Sequence, residues 1–182
     1  MNNLADSQLC IQMQNNYPYL PEGRTIKYVP ISDPFMAEAM KVRDELSTEM
    51  NYPTGSVVVL NSQVIGRAGN QAALKNKKLQ EFHRTKLCLR KMFKIPSGQK
   101  YWVCPGCAKH EHHAEWGAVR DAIKNNKEIR GADLYLYGHW WCCKPCWDAM
   151  IKAGIRDIYF VDGAFELFEK RSYVIVEATK KL

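Results

Sequence analysis

Six of the chain's seven cysteines (Cys88, Cys104, Cys107, Cys142, Cys143, Cys146) and four of its five histidines (His110, His112, His113, His139) fall between residues 88 and 146. Only Cys10 lies elsewhere. Two C-x-x-C pairs with histidines close by read as metal ligation before disulfide in a reducing compartment. A chain that must bring these groups together is constrained to place His113 beside residues 143–146. At 182 residues and 46% hydrophobic composition it can bury a full core without covalent staples.

His113-Ala114-Glu115 and, thirty residues on from His113, Cys143-Lys144-Pro145-Cys146 each fall where a strand or loop hands over to a helix. Helix N-termini carry unpaired N–H groups and partial positive charge, which favour thiolate ligands. One histidine and two cysteines give three protein ligands, and a tetrahedral zinc ion with three leaves a fourth position for water. That is the layout of a catalytic site. Glu115, two residues from the histidine, is placed to shuttle a proton without ligating the metal. A closed zinc site, or a histidine satisfied by two core thiols, is the non-catalytic reading of the same residues. Cys142, beside the first ligand cysteine, is a competitor for the metal.

Cys104-Pro105-Gly106-Cys107 has the knuckle spacing of a structural zinc. Its expected partners are His110 and one of His112 or Cys88. The alternative is free thiols and solvated histidines.

Charge is the next constraint. The chain carries a net +7, and residues 75–94 alone hold eight cations against one anion, Glu81, so the rest is neutral overall. A single cationic stretch on a neutral body is either a solvated loop or one anionic contact. Arg84, Arg90 and Lys94 are the candidates to meet a phosphate. No apolar run approaches a membrane span and the N-terminus lacks a basic start followed by an apolar stretch, so a cytoplasmic protein with no membrane partner is expected.

The pattern of elements predicts one domain, residues 33–182, behind an N-terminal arm of residues 1–32 that is turn-rich and expected to cross the surface or frame a partner contact. Asp33-Pro34 starts a helix to about Ser47. Gly55–Leu60 and Gln63–Gly66 flank Asn61-Ser62 as a hairpin. A helix follows from His113 to about Asn125, then a strand at Leu134–Tyr137, a helix from Cys143 to Ala153, a strand at Asp157–Val161, a short helix at Phe165–Lys170 and a last strand at Tyr173–Val176. This alternation predicts an α/β fold, a three-layer α/β/α sandwich around a mixed five-stranded sheet.

From about Asp33 to Val161 the chain resembles the zinc-dependent cytidine and deoxycytidylate deaminases. The resemblance rests on His113-Ala114-Glu115, Cys143-x-x-Cys146, Pro53–Val59 and Val64–Asn70 as the first two strands, and Cys88-Leu89-Arg90 followed by Ile95–Tyr101 and Ala149–Ile155, which are similar to the deoxycytidylate branch. Cys142 stands where the family usually has proline, and Trp116-Gly117 departs from its usual residues. The resemblance implies zinc on His113, Cys143 and Cys146, Glu115 as the catalytic proton carrier, Asn70 and Ala114 at the substrate, and a second structural zinc in some members. It further implies a homo-oligomer, a dimer or hexamer. The glycine- and proline-bearing stretch that regulated members carry after the asparagine is replaced by Gln71-Ala72-Ala73, so triphosphate control is not expected. The expected reaction is hydrolysis of dCMP to dUMP. A nucleic-acid base deaminase, with Trp102, Trp140 or Trp141 stacking on bases, is an alternative, and so is a non-catalytic zinc scaffold.

Overall fold

In a computed structural model, residues 19–168 apart from 97 and 127 are described. Five strands form one mixed sheet: β1 (Ile26–Val29), β2 (Gly55–Leu60), β3 (Gln63–Gly69), β4 (Asp133–Tyr137) and β5 (Ile158–Val161), in the order β1-β5-β4-β2-β3. β1 runs parallel to β5 and β5 parallel to β4, while β2 is antiparallel to both β4 and β3. The mixed α/β sandwich expected from the sequence is the fold observed. Its fifth strand, however, is β1, inside the segment expected to be a surface arm. Ile26 is the buried residue of β1, and its partner Ile158 lies far along the chain, so a four-residue edge strand left little periodic signal. The expected strand at Tyr173–Val176 lies outside the described residues. Of the expected helix at Phe165–Lys170, residues 164–168 are helical and the remainder lies outside them as well.

Helix α1 (Pro34–Leu46) begins as its sequence dictates, with the Asp33 carboxylate accepting from the Phe35 and Met36 amides at 2.9 and 3.0 Å and proline in the first turn. It covers one face of the sheet through Met36, Ala39 and Val42. Helix α4 (Ala114–Asn125) covers the other. Two glycines show how closely each is seated. A Cβ on Gly55 would come 2.2 Å from the Ala39 carbonyl of α1, and one on Gly66 would come 2.4 Å from the Ala118 carbonyl of α4. Gly66 pairs with Val58 and Gly55 lies three residues before it, so the two helices sit on opposite faces. Helix α5 (Lys144–Lys152) packs beside α4 through Cys146, Trp147 and Met150. Leu134, Leu136, Ile158 and Phe160 fill the space between the layers, each contributing about 1.5–3 kcal/mol by burial.

The basic stretch is helical. Helix α2 (Lys77–Thr85) is capped by Asn76, whose side chain accepts from the Lys78 and Leu79 amides, and the short α3 (Leu89–Met92) follows. Its cations read as loop because they dilute the apolar period, yet Gln80 and Arg90 are both buried. Among the described residues no helix is long and apolar enough to cross a membrane.

Register places the site. Gly55, where β2 begins, pairs with Gly69 at the end of β3 and with Tyr137 at the end of β4. The segments at Tyr52–Thr54, Asn70 and His139–Cys143 therefore converge at one end of the sheet. The N-termini of α4 and α5 open onto that same end.

Candidate active site

His113 and Cys143 are the N-cap residues of α4 and α5, both with extended backbone. The His113 Nδ1 atom lies 3.5 Å from the Cys143 sulfur and 3.5 Å from the Cys146 sulfur. A tetrahedral zinc ion, with bonds of about 2.3 Å to sulfur and about 2.0 Å to nitrogen, holds such ligands about 3.5 Å apart. The three side chains thus fit the ion. The charge distribution agrees. The Cys146 thiol donates to Cys143 and, with the His113 imidazole, draws the Cys143 pKa down to about 4; Cys146 itself is pushed up, first by that hydrogen bond and then by burial. Burial opposes a charge on His113, but its hydrogen bond to Cys143 and the neighbouring Glu115 charge leave its pKa raised. Metal binding at this cluster displaces protons.

Glu115 stands in the first turn of α4, buried, with its carboxyl on the same cavity as His113 and Cys143. Burial pushes its pKa up, against the opposing pull of His113, so the carboxyl is disposed to hold a proton. Cys142 is fully buried and outside the ligand cluster. Its thiol is hydrogen-bonded to Glu115, and burial together with that carboxyl raises its pKa.

The cavity walls come from the convergent sheet end: Tyr52, Asn70, Tyr101, His139 and Trp141, with Ala114 at the helix start. Asn70, expected at the substrate, lies on this wall, and its side chain frames it. Its Oδ1 accepts from the Thr54 amide at 2.9 Å and from the Ser47 hydroxyl at 2.6 Å, and its Nδ2 donates to the Tyr52 carbonyl at 2.8 Å. His112 also borders the cavity, and its Nδ1 is buried with no hydrogen-bond partner among the described residues.

The second cluster has a different membership from the one expected. Cys88, Cys104 and Cys107 gather with His83, a residue of α2, and neither His110 nor His112 belongs to it. His110 packs against the Trp116 ring at 5.2 Å. His83 Nε2 is 3.2 Å from the Cys104 sulfur and 3.7 Å from that of Cys107, and the Cys88 and Cys107 sulfurs are 3.7 Å apart. A tetrahedral ion sets two sulfur ligands about 3.8 Å apart, so this set also fits, and with four ligands it is closed. Gly106 makes room for it, since a Cβ there would come 2.3 Å from the His83 ring. Burial and the Lys91 charge lower the His83 pKa, which keeps the imidazole in its neutral, ligating form. At Cys104 burial works the other way, but amides of Gly106, Leu89 and Arg90 donate to the sulfur and its pKa ends lowered; burial and the Cys88 charge push Cys107 up to about 12.

Beside the catalytic cavity lies a second one that shares Glu49, Tyr52, Tyr101 and Ala108 with it and is also lined by Arg84, Arg90 and Lys91. Of the expected phosphate contacts, Arg84 borders this second cavity while paired with Glu81, and Arg90 is buried and engaged by the protein. Lys94, at positive φ in a turn, lines neither cavity. Lys91, which borders the second cavity and donates to the Arg84 carbonyl, was not singled out by the sequence.

A three-ligand cluster at paired helix starts, with a buried carboxyl in the same cavity, could hold zinc with one position left open. Residues 31–162 match the family described as the cytidine and deoxycytidylate deaminase zinc-binding region, and the chain belongs to that family. Among solved structures it is similar to the dCMP deaminase of the cyanophage S-TIM5 (17% identity, TM-score 0.43, covering 76% of this chain and 89% of that one). It is also similar to a diaminohydroxyphosphoribosylaminopyrimidine deaminase/5-amino-6-(5-phosphoribosylamino)uracil reductase of Thermotoga maritima (19%, 0.42, 80% and 37%). A third is the guanine deaminase of Bacillus subtilis (17%, 0.40, 74% and 68%). No curated protein sequence matches the chain.

Proposed function

We propose that this protein is a zinc-dependent hydrolytic deaminase that converts dCMP to dUMP. The observation that carries the reading is Glu115 buried on the one cavity that also holds His113 and Cys143. Zinc bound by His113, Cys143 and Cys146 supplies an activated water, its pKa lowered to about 7, as the nucleophile. In the net reaction the oxygen of water becomes O4, the C4–N4 bond breaks and N4 leaves as ammonia. Glu115 takes up the two protons of that water in turn and passes one to ring N3 and one to the departing amine. Its burial suits the proton-accepting task, because desolvation raises the carboxyl's pKa and makes it a stronger base than an exposed one. Tyr52, Asn70, Tyr101 and Trp141 orient the base and sugar and exclude bulk water. Arg84 and Lys91, on the adjoining cavity, receive the 5′-phosphate.

A polynucleotide substrate is the second reading, and a specific observation favours it: Trp102 is 77% exposed close to the basic helices. Trp140 and Trp141 are core residues and do not offer a surface platform. Deamination of dCMP, dCTP, deoxycytidine and a short single-stranded cytosine oligonucleotide, followed by absorbance, tests the two. The dCMP reading predicts kcat/KM for dCMP at least about tenfold above that for the other three, a difference of about 1.4 kcal/mol in transition-state binding. A higher value for the oligonucleotide favours the polymer.

A further inference from the structure

Arg90 has the sequence signature of a phosphate contact, but the protein itself engages every edge of its side chain. It is 7% exposed. Its Nε donates to the Gln99 carbonyl at 3.0 Å and an Nη to the Pro96 carbonyl at 2.6 Å, so the guanidinium ties Pro96 to Gln99. The other Nη points at the Cys107 sulfur at 3.8 Å, and the flat face lies 4.2 Å from the centre of the Tyr101 ring. No carboxylate is hydrogen-bonded to it among the described residues.

A buried guanidinium needs a countercharge. Three thiolates on a divalent ion at His83, Cys88, Cys104 and Cys107 leave one negative charge over, and one of those sulfurs faces Arg90. At its other end the cation meets the wall of the catalytic cavity. Tyr101 packs edge-on to His113 at 5.3 Å and its hydroxyl accepts from the Gly98 amide at 3.1 Å. Gly98 is held so close that a Cβ there would lie 3.1 Å from the Trp141 ring and 3.4 Å from the Cys143 Cβ. We propose that Arg90 is a positioning residue, joining the four-ligand centre to Tyr101 in the wall of the catalytic cavity so that this centre sets how tightly the substrate is held. The inference rests on the deaminase reading for its kinetic arm only.

The test compares zinc-loaded wild type, Arg90→Lys and Arg90→Met. Lysine keeps the charge but has no planar fork to span two carbonyls and a ring face. Both variants are expected to retain both zinc equivalents and to exchange the backbone amides of residues 98–101 about tenfold faster. They are expected to raise KM for dCMP and for deoxycytidine by the same factor, about tenfold, with kcat within about twofold. Unchanged exchange overturns the proposal. So does a KM rise confined to dCMP and reversed in Arg90→Lys, which is the behaviour of a phosphate ligand. If wild type turns over neither compound, the substrate reading fails and the exchange rates alone decide Arg90. Should the Arg90 variants not accumulate, Tyr101→Leu removes the ring from the far end of the bridge. The same acceleration of residues 98–101 is expected there, and its absence overturns the proposal.

Discussion

Replacing Glu115 with glutamine is expected to leave zinc at His113, Cys143 and Cys146 and to lower kcat by about 10²–10⁴-fold, the range set by loss of a positioned proton carrier. Glutamine matches the carboxyl in size, so the buried position in the first turn of α4 stays filled. What it lacks is the capacity to take up a proton. The ligand atoms belong to other side chains and keep their 3.5 Å spacing, so metal analysis of the variant should match wild type. A variant that retains zinc and near-wild-type turnover would show that Glu115 is a packing residue. One that loses the zinc would show that its carboxyl contributes to the ligand set.

The second large effect is expected at the four-ligand centre. His83→Ala should reduce zinc from about two equivalents per chain to about one, whereas His110→Ala should leave it unchanged, because His110 packs edge-on against Trp116 and lies outside the four-residue cluster. A ligand held at about 1,000 times its dissociation constant stabilises the folded chain by about 4 kcal/mol. For a domain of this size that corresponds to about 8–16 °C in Tm. His83→Ala is therefore expected to melt lower by that amount with zinc present, and chelation of wild type, which removes both ions, should lower Tm at least as far. Equal zinc content in the two histidine variants would contradict the assignment of His83.

The clustering of His113, Cys143 and Cys146 was legible in the sequence because its two halves are each local. His113-Ala114-Glu115 and Cys143-x-x-Cys146 lie on single turns, and the helix starts that present them carry their own signals in Ala114–Asn125 and in Pro145. The Asp33 cap and the Asn61-Ser62 turn, whose two residues both take positive φ in the structure, were readable for the same reason. The second centre was legible only in part. Its knuckle, Cys104-Pro105-Gly106-Cys107, is local, but the nearby His110 and His112 supply a tempting contiguous set. The nitrogen that gathers with the three sulfurs belongs to His83 on α2, where it reads as one more member of a basic run. Nothing in residues 75–94 marks His83 apart from its cationic neighbours. The one cue is Gly106, whose missing side chain is required by a ring from elsewhere. Arg90 misled for a related reason. Charge in a sequence suggests an external anion, and only the fold shows carbonyls, a sulfur and a ring already surrounding it. β1 escaped because pairing with β5, about 130 positions away, supplies a stability that its own four residues do not signal.

The central claim is that a zinc-loaded His113, Cys143 and Cys146 cluster with Glu115 removes the amine from a cytosine nucleotide. It is tested most directly by incubating the two-zinc protein with dCMP and measuring ammonia and dUMP together. The account predicts one ammonia for each dUMP formed, with both products abolished in Glu115→Gln. Absence of ammonia from dCMP, dCTP, deoxycytidine and the oligonucleotide alike, in protein shown to carry both zinc ions, would contradict it.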